Sequence, residues 1–97
     1  MTATPALPEA DVIGAEMMAR LDALAAHSEA GEGLTRRFAS PEHRAAAALI
    51  LGWMRDAGMA AHMDAVGNCV GRYEGGAPGL PALIMGSHQD SVRNGGR

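Results

Sequence analysis

The feature that most constrains the fold is an apolar run at residues 80–85, which ends in Gly86-Ser87. Within it, residues 82–86 are apolar on both faces, a pattern typical of a sheet strand that is covered by helices on each side. Such a strand needs neighbouring strands, because its backbone and both of its faces must be covered. The pattern therefore predicts an α/β protein with a central sheet flanked by helices.

Two helices are predicted before this strand. Residues 8–26 have helical periodicity, and Ile13, Met17, Leu21 and Leu24 lie on its apolar face. The second helix has clearer ends, with Ser40 as N-cap, Pro41 in the first turn and Gly58 after its last residue. The second helix therefore spans residues 41–57, with a predicted buried stripe of Ala46, Ile50, Trp53, Met54 and Ala57.

A hairpin is predicted between the second helix and the apolar run. Residues 59–65 and 68–74 have strand-like patterns, and Gly67-Asn68 is typical of a tight turn between them. The complete order is therefore α-α-β-β-β. A chain of 97 residues allows one domain at most.

Charge and composition argue against several classes of function. The chain has eight Arg, no Lys and a net charge of -3, and its scattered arginines form no basic stripe for nucleic acid. Its longest apolar stretches, residues 45–51 and 80–85, are too short to span a bilayer. Residues 1–11 lack the basic and apolar regions of a signal peptide. The single cysteine, Cys69, fits a reducing compartment and is expected to be a small core residue, so we expect a cytoplasmic protein.

The candidate site is His88-Gln89-Asp90, which directly follows the apolar strand. In an extended segment His88 and Asp90 project to the same side, so the imidazole could bind a metal while the carboxylate orients it. Alternatively, Asp90 caps a turn and His88 is only its hydrogen-bond partner. The residues alone leave both interpretations open, and a catalytic zinc needs about three protein ligands.

The other histidines are weaker candidates. Four His and five Asp predict about 0.2 His-x-Asp pairs by chance, and the chain has two, so spacing alone decides nothing. The second pair is His62-Met63-Asp64, inside a predicted strand, where we expect His62 to be a surface or partly buried residue. His27 and His43 lie at helix ends and are expected to be solvated.

Taken together, five blocks of the chain resemble the hydantoinase/carbamoylase amidohydrolases, a branch of the aminoacylase/dipeptidase metallopeptidase superfamily. This group includes N-carbamoyl-L-amino-acid hydrolases, allantoate amidohydrolases and β-ureidopropionases. The resemblance covers nearly everything from about Asp11 onward, in register. Its blocks are Gly33-Leu34-Thr35-Arg36, Ser40-Pro41-Glu42-His43-Arg44-Ala45, Trp53-Met54-Arg55-Asp56-Ala57-Gly58, Asp64-Ala65-Val66-Gly67-Asn68, and Gly86-Ser87-His88-Gln89-Asp90-Ser91 with Asn94-Gly95-Gly96-Arg97.

The resemblance implies specific roles for two residues. His88 matches a ligand of one ion in a site of two divalent metals (Zn, or Mn, Co or Ni), and Asp90 matches the catalytic-site carboxylate that orients it. In such enzymes the metals polarise a carbamoyl or ureido carbonyl and acidify a water, and a glutamate takes the proton. Gln89 and Ser91 differ from the Leu or Ile and the Thr common at these positions.

The resemblance also implies what residues 1–97 would lack. They would form the N-terminal portion of a metallopeptidase-like catalytic domain, without the lid and dimerisation domain, and would be inactive alone. The complete enzyme is implied to be a homodimer that acts on small carbamoyl or ureido molecules. Two alternatives remain: an aminoacylase or dipeptidase of the same superfamily, and a non-catalytic module that binds no metal.

Overall fold

The computed structural model describes residues 9–96 of the chain. Residues 1–8 and Arg97 lie outside this range, and with them the predicted helix start at Pro8, most of the segment considered for a signal peptide and the last residue of the resemblance. Four elements follow one another: α1 (Ala10–Ala25), α2 (Pro41–Asp56), β1 (Ala60–Met63) and β2 (Cys69–Arg72). The two predicted helices and the antiparallel hairpin are confirmed.

Helix α2 has well-defined ends. The hydroxyl of Ser40 accepts a hydrogen bond from the backbone N–H of His43 at 3.1 Å, which satisfies one of the free donors of the first turn. Gly58 follows the helix with φ +91°, a conformation that glycine adopts without a steric cost. Because these signals are local, the predicted helix, residues 41–57, agrees with the observed one at its start and exceeds it by only one residue at its end.

The buried side of α2 differs from the predicted stripe. Ala46 is buried as expected, whereas Ile50, Trp53 and Met54 are half-buried and Ala57 is exposed. Exposure of Ala57 contradicts the prediction, and its reason is that the residue caps the helix end beyond the packed surface. The buried set on this helix is His43, Ala46, Ala47 and Leu51.

The hairpin packs against α2. Its register pairs Ala60 with Arg72 and Met63 with Cys69. Gly71 allows close approach, because a Cβ atom there would lie 2.8 Å from Sδ of Met54. The turn precedes the predicted Gly67-Asn68 position: the N–H of Gly67 donates to the carbonyl of Asp64 at 3.2 Å, so Asp64 opens the turn.

The predicted third strand at residues 82–86 is not formed. Residues 80–92 have no regular secondary structure, and the side chains of residues 83–85 are between 85% and 89% exposed. A strand is defined by its hydrogen-bonded partner. Within residues 9–96 no segment pairs with residues 82–86, so this prediction is wrong for the structure described.

Helix α1 is largely uncovered. Ile13, Met17 and Leu21 are exposed and Leu24 is half-buried, which contradicts the predicted buried face. The reason is that little of the described chain packs over this face. One contact to α2 is made by the guanidinium of Arg20, 5.3 Å from the ring centroid of Trp53. Neither α1 nor α2 is long and apolar enough to cross a membrane, and residues 9–96 contain no other helix.

Candidate functional site

The candidate site segment lies beside residues 34–36, which belong to the connection between the two helices. The N–H of Ser91 donates to the carbonyl of Arg36 at 2.7 Å, and the N–H of Arg36 donates to the hydroxyl of Ser91 at 2.9 Å. Further along, Leu34 and Gly95 form an isolated antiparallel bridge. The connection between the two helices therefore supports the candidate site through residues 34–36.

His88 and Asp90 lie close together, as the His-x-Asp spacing predicts. Nδ1 of His88 is 2.8 Å from the backbone carbonyl oxygen of Asp90 and 3.6 Å from its carboxylate Oδ1. The His88 side chain is 83% exposed and that of Asp90 42%. The imidazole is therefore oriented by Asp90 while most of the ring remains accessible.

The same geometry selects one tautomer of His88. A carbonyl oxygen can only accept a hydrogen bond, so Nδ1 must carry the proton for this contact to form. In the neutral ring Nε2 then holds the lone pair, and no hydrogen bond among residues 9–96 occupies it. Metal-binding histidines in proteins commonly have one ring nitrogen on the metal and the other held by a protein oxygen, an arrangement that this geometry would allow.

Gln89 connects the site segment to the hairpin. Its amide Nε2 donates to the carbonyl of Gly67 at 3.2 Å, and the thiol of Cys69 donates to its Oε1 at 3.7 Å. Burial raises the pKa of Cys69, which keeps the thiol protonated and able to donate. Cys69 is half-buried and makes hydrogen bonds here, so the expectation of a core residue is only partly met.

Arg36 is the residue that sequence reasoning missed at this site. It is 6% exposed, and its guanidinium donates to three carbonyls: from Nη1 to Leu24 at 2.7 Å and His27 at 3.2 Å, and from Nε to Gln89 at 2.9 Å. Burial lowers the pKa of Arg36, and the nearby charge of Asp90 partly offsets this shift. The only signal in the sequence was its place in the Gly33-Leu34-Thr35-Arg36 block.

Thr35 and Gly33 contact the far end of the site segment at Asn94. The N–H of Asn94 donates to the hydroxyl of Thr35 at 2.8 Å, and the N–H of Thr35 donates to the hydroxyl of Ser28 at 3.0 Å. Gly33 has φ +69°, and a Cβ atom there would overlap the side chain of Asn94. Glycine is thus required where the two segments meet.

The remaining histidines lie apart from this site. His62 is exposed on β1, as predicted. His43 is buried and its Nδ1 accepts the N–H of Ala39 at 3.0 Å, so the expectation of a solvated residue is wrong. The cause is local, because the chain folds back over the start of α2. His27 is half-buried. Within residues 9–96 no three His, Cys, Asp or Glu side chains are grouped so as to hold a metal.

Comparison with known proteins shows the relationship. The chain is 48% identical over 73 residues to an N-carbamoyl-L-amino-acid amidohydrolase of Paenarthrobacter aurescens, which covers 75% of this chain and 18% of the relative. It is 43% identical over 82 residues to an allantoate deiminase of Arabidopsis thaliana, which covers 84% of this chain and 16% of the relative. The chain is a relative of these amidohydrolases. The resemblance seen in its sequence is confirmed.

The relationship extends to further ureido-type enzymes. The chain is 37% identical over 79 residues to a ureidoglycolate hydrolase of Oryza sativa subsp. japonica. It spans less than a fifth of the length of the curated relatives it matches. No family model matches the chain. No solved structure matches it either.

Proposed function

We propose that residues 1–97 are a portion of the catalytic, metal-binding domain of an amidohydrolase that cleaves linear C–N bonds. The substrates would be N-carbamoyl-amino acids or ureido compounds such as allantoate. Support comes from the relatives, which are named N-carbamoyl-L-amino-acid amidohydrolase and allantoate deiminase. The lid and dimerisation domain would lie outside these residues.

The observation that carries this proposal is the orientation of His88. Its Nδ1 is held by Asp90, and the lone pair of its neutral ring is at Nε2 on an exposed side chain. This arrangement favours the metal-ligand interpretation over the turn-cap interpretation that the sequence left open.

The residues fit one part of a metal site. His88 would bind an ion directly and Asp90 would orient the imidazole, while further ligands are needed for a catalytic site. Imidazole and carboxylate suit Zn, Mn, Co or Ni. When bound, two divalent ions would polarise the carbonyl of the substrate and lower the pKa of a water.

The chain's own contribution to catalysis would be to hold and orient the imidazole of His88. Asp90 would hold the proton of the neutral His88 ring on Nδ1, which leaves the lone pair of that ring at Nε2. The carboxylate also makes the ring a better donor to a cation by its negative charge. Gln89 and Ser91 hold the segment from its other side, against the hairpin and residues 34–36.

The assembly and location of the complete enzyme are part of the same proposal. The family resemblance supports a homodimer. The single, protonated thiol of Cys69 is compatible with a reducing, cytoplasmic environment. Sedimentation of the complete protein and fractionation of cells would test these two statements directly.

The test of the proposal is a pair of histidine variants in the complete protein. We expect His88→Ala to abolish ammonia release from N-carbamoyl-L-amino acids and allantoate and to reduce bound metal, measured by mass spectrometry. His62→Ala is the matched control, because it belongs to the other His-x-Asp pair, and should change neither. Normal turnover and metal content in His88→Ala would contradict the proposal.

A further inference from the structure

We propose that Arg36 is a positioning residue for the His88–Asp90 pair and that its guanidinium clamps the peptide between these residues to the end of α1. This inference rests on the function proposed above. The reason for singling out Arg36 is that it is a buried cation whose side chain joins a main-chain carbonyl of the candidate site, that of Gln89, to carbonyls at the end of α1. It touches no reacting group itself.

The first step is the contact with Gln89, the residue between His88 and Asp90. Nε of Arg36 donates to the carbonyl oxygen of Gln89 at 2.9 Å, which fixes the plane of the peptide that leads into Asp90. The main chain of Arg36 also pairs with Ser91 on the other side of Asp90. Arg36 therefore holds the backbone both before and after the orienting carboxylate.

The second step is the anchor at α1. Nη1 of Arg36 donates to the carbonyl of Leu24, in the last turn of α1, where helix carbonyls carry partial negative charge, and to the carbonyl of His27 just beyond the helix. The last turn of α1 has no basic residue of its own. Arg36 supplies that cation, so one side chain joins the helix end to the site segment.

The third step is the choice of arginine. Its planar guanidinium can donate in several fixed directions at once, whereas a lysine ammonium is a compact charge on a flexible stem. Here three carbonyls of residues 24, 27 and 89 are bound from two nitrogen atoms. Asp90 adds a favourable charge interaction that a neutral side chain would lose. Lysine is therefore expected to replace only part of the clamp.

The experiment compares Arg36→Ala and Arg36→Lys in the complete protein, with Arg37→Ala as control. Arg37 is the adjacent arginine, but it is exposed and pairs with Glu29 at 2.6 Å. The first measurement is hydrogen exchange at the Ser91 amide in protein without added metal. The second is zinc affinity by titration, and the third is kcat and KM with an N-carbamoyl-L-amino acid.

We expect Arg36→Ala to speed exchange at Ser91 about tenfold or more and to weaken zinc binding and lower kcat by about 10–100-fold, a usual cost of losing support behind a ligand. KM should stay within about threefold, because ground-state substrate contacts are untouched. Arg36→Lys should fall between the alanine variant and the wild type. Arg37→Ala should match the wild type in all three measurements.

Several results would overturn the inference. Unchanged exchange at Ser91 in Arg36→Ala would show that no clamp exists, whether or not His88 binds a metal. Faster exchange with unchanged zinc affinity and kcat per folded molecule would leave Arg36 a purely structural role. If Arg36→Ala does not fold, wild-type values in all three measurements for Arg36→Lys would overturn it too. Full turnover in His88→Ala would contradict the proposed function instead, so the two failures are distinguishable.

Discussion

Nδ1 of His88 is closer to the backbone carbonyl oxygen of Asp90, at 2.8 Å, than to the carboxylate Oδ1 of that residue, at 3.6 Å. Orientation of the imidazole thus has a backbone component, which any residue at position 90 could supply, and a charge component, which only a carboxylate supplies. The two components can be separated by substitution.

Asp90→Asn in the complete protein removes the charge but keeps the backbone carbonyl. We expect the fold to be retained and metal affinity or kcat to fall by about 10-fold, the lower end of the range for residues that support a metal ligand. Metal titration and steady-state kinetics would measure this. Asp56→Asn at the exposed end of α2 is the control and should have no effect. A loss as complete as that of His88→Ala would contradict this limited orienting role of the Asp90 charge.

Gly33→Ala should destabilise the junction between residues 34–36 and the site segment. Gly33 has φ +69°, and an added Cβ would overlap Asn94. The left-handed backbone alone costs about 1–2 kcal/mol for an L residue, and the overlap adds to it. Gly14→Ala in α1 is the matched control: it meets open space and should instead stabilise the helix by up to about 1 kcal/mol. Urea unfolding should give a lower free energy of unfolding for Gly33→Ala and a higher one for Gly14→Ala. An unchanged free energy of unfolding in Gly33→Ala would contradict this geometry.

The ion pair of Glu29 and Arg37 predicts a pH dependence at acid pH. The side-chain hydrogen bond from Arg37 is the main cause that lowers the pKa of Glu29 from 4.5 to about 2. Because the folded pKa is depressed, the stabilisation is fully present above pH 4.5 and is lost as the pH falls toward 2.

An NMR titration of the Glu29 carboxyl would measure this shift directly. Arg37→Ala should return the pKa of Glu29 toward its ordinary value and remove the corresponding loss of stability between pH 4.5 and 2. Arg55→Ala, at an exposed arginine on α2 that donates to the carbonyl of Ala61, serves as control and should leave Glu29 unchanged. An ordinary pKa for Glu29 in the wild type would exclude this ion pair.

The exposed apolar residues 83–85 predict self-association of the 97-residue chain. An unpaired apolar segment with strand-like character tends to pair with other chains. Ile84→Lys should reduce association at micromolar concentrations, measured by analytical ultracentrifugation. Val66→Lys, at an exposed apolar residue of the hairpin turn, should leave it unchanged. A monodisperse wild-type monomer with a sharp, cooperative melt would contradict the prediction.

Elements with local signals could be predicted from the sequence. Helix α2 follows from Ser40, Pro41 and Gly58, and the hairpin follows from two strand-like segments around a turn. The turn itself was misplaced, because the carboxylate Oδ1 of Asp64 accepts the N–H groups of Val66 and Asn68 and so closes the turn from its first residue. The alternation of residues along the sequence indicates the two strands, but it does not show which residues form the turn between them.

Features that depend on distant partners could not be predicted. The strand at residues 82–86 requires a neighbouring strand, and periodicity cannot show whether one is present. The proximity of His88 and Asp90 was predictable because they are two residues apart. Arg36 was not, since its contact with Gln89 joins residues 53 positions apart. The family resemblance included the Gly33-Leu34-Thr35-Arg36 block but did not indicate what the Arg36 side chain contacts.

The contact of Arg36 with Ser91 spans 55 positions and encloses all of α2 and the hairpin. Closing so long a loop costs more conformational entropy than forming a contact between residues that are near in sequence. Contacts between residues far apart in the sequence therefore form slowly. We therefore expect the candidate site to be assembled late in folding, after the helix and the hairpin, which form from local interactions. A substitution that strengthens the junction would accordingly slow unfolding while leaving the rate of folding nearly unchanged.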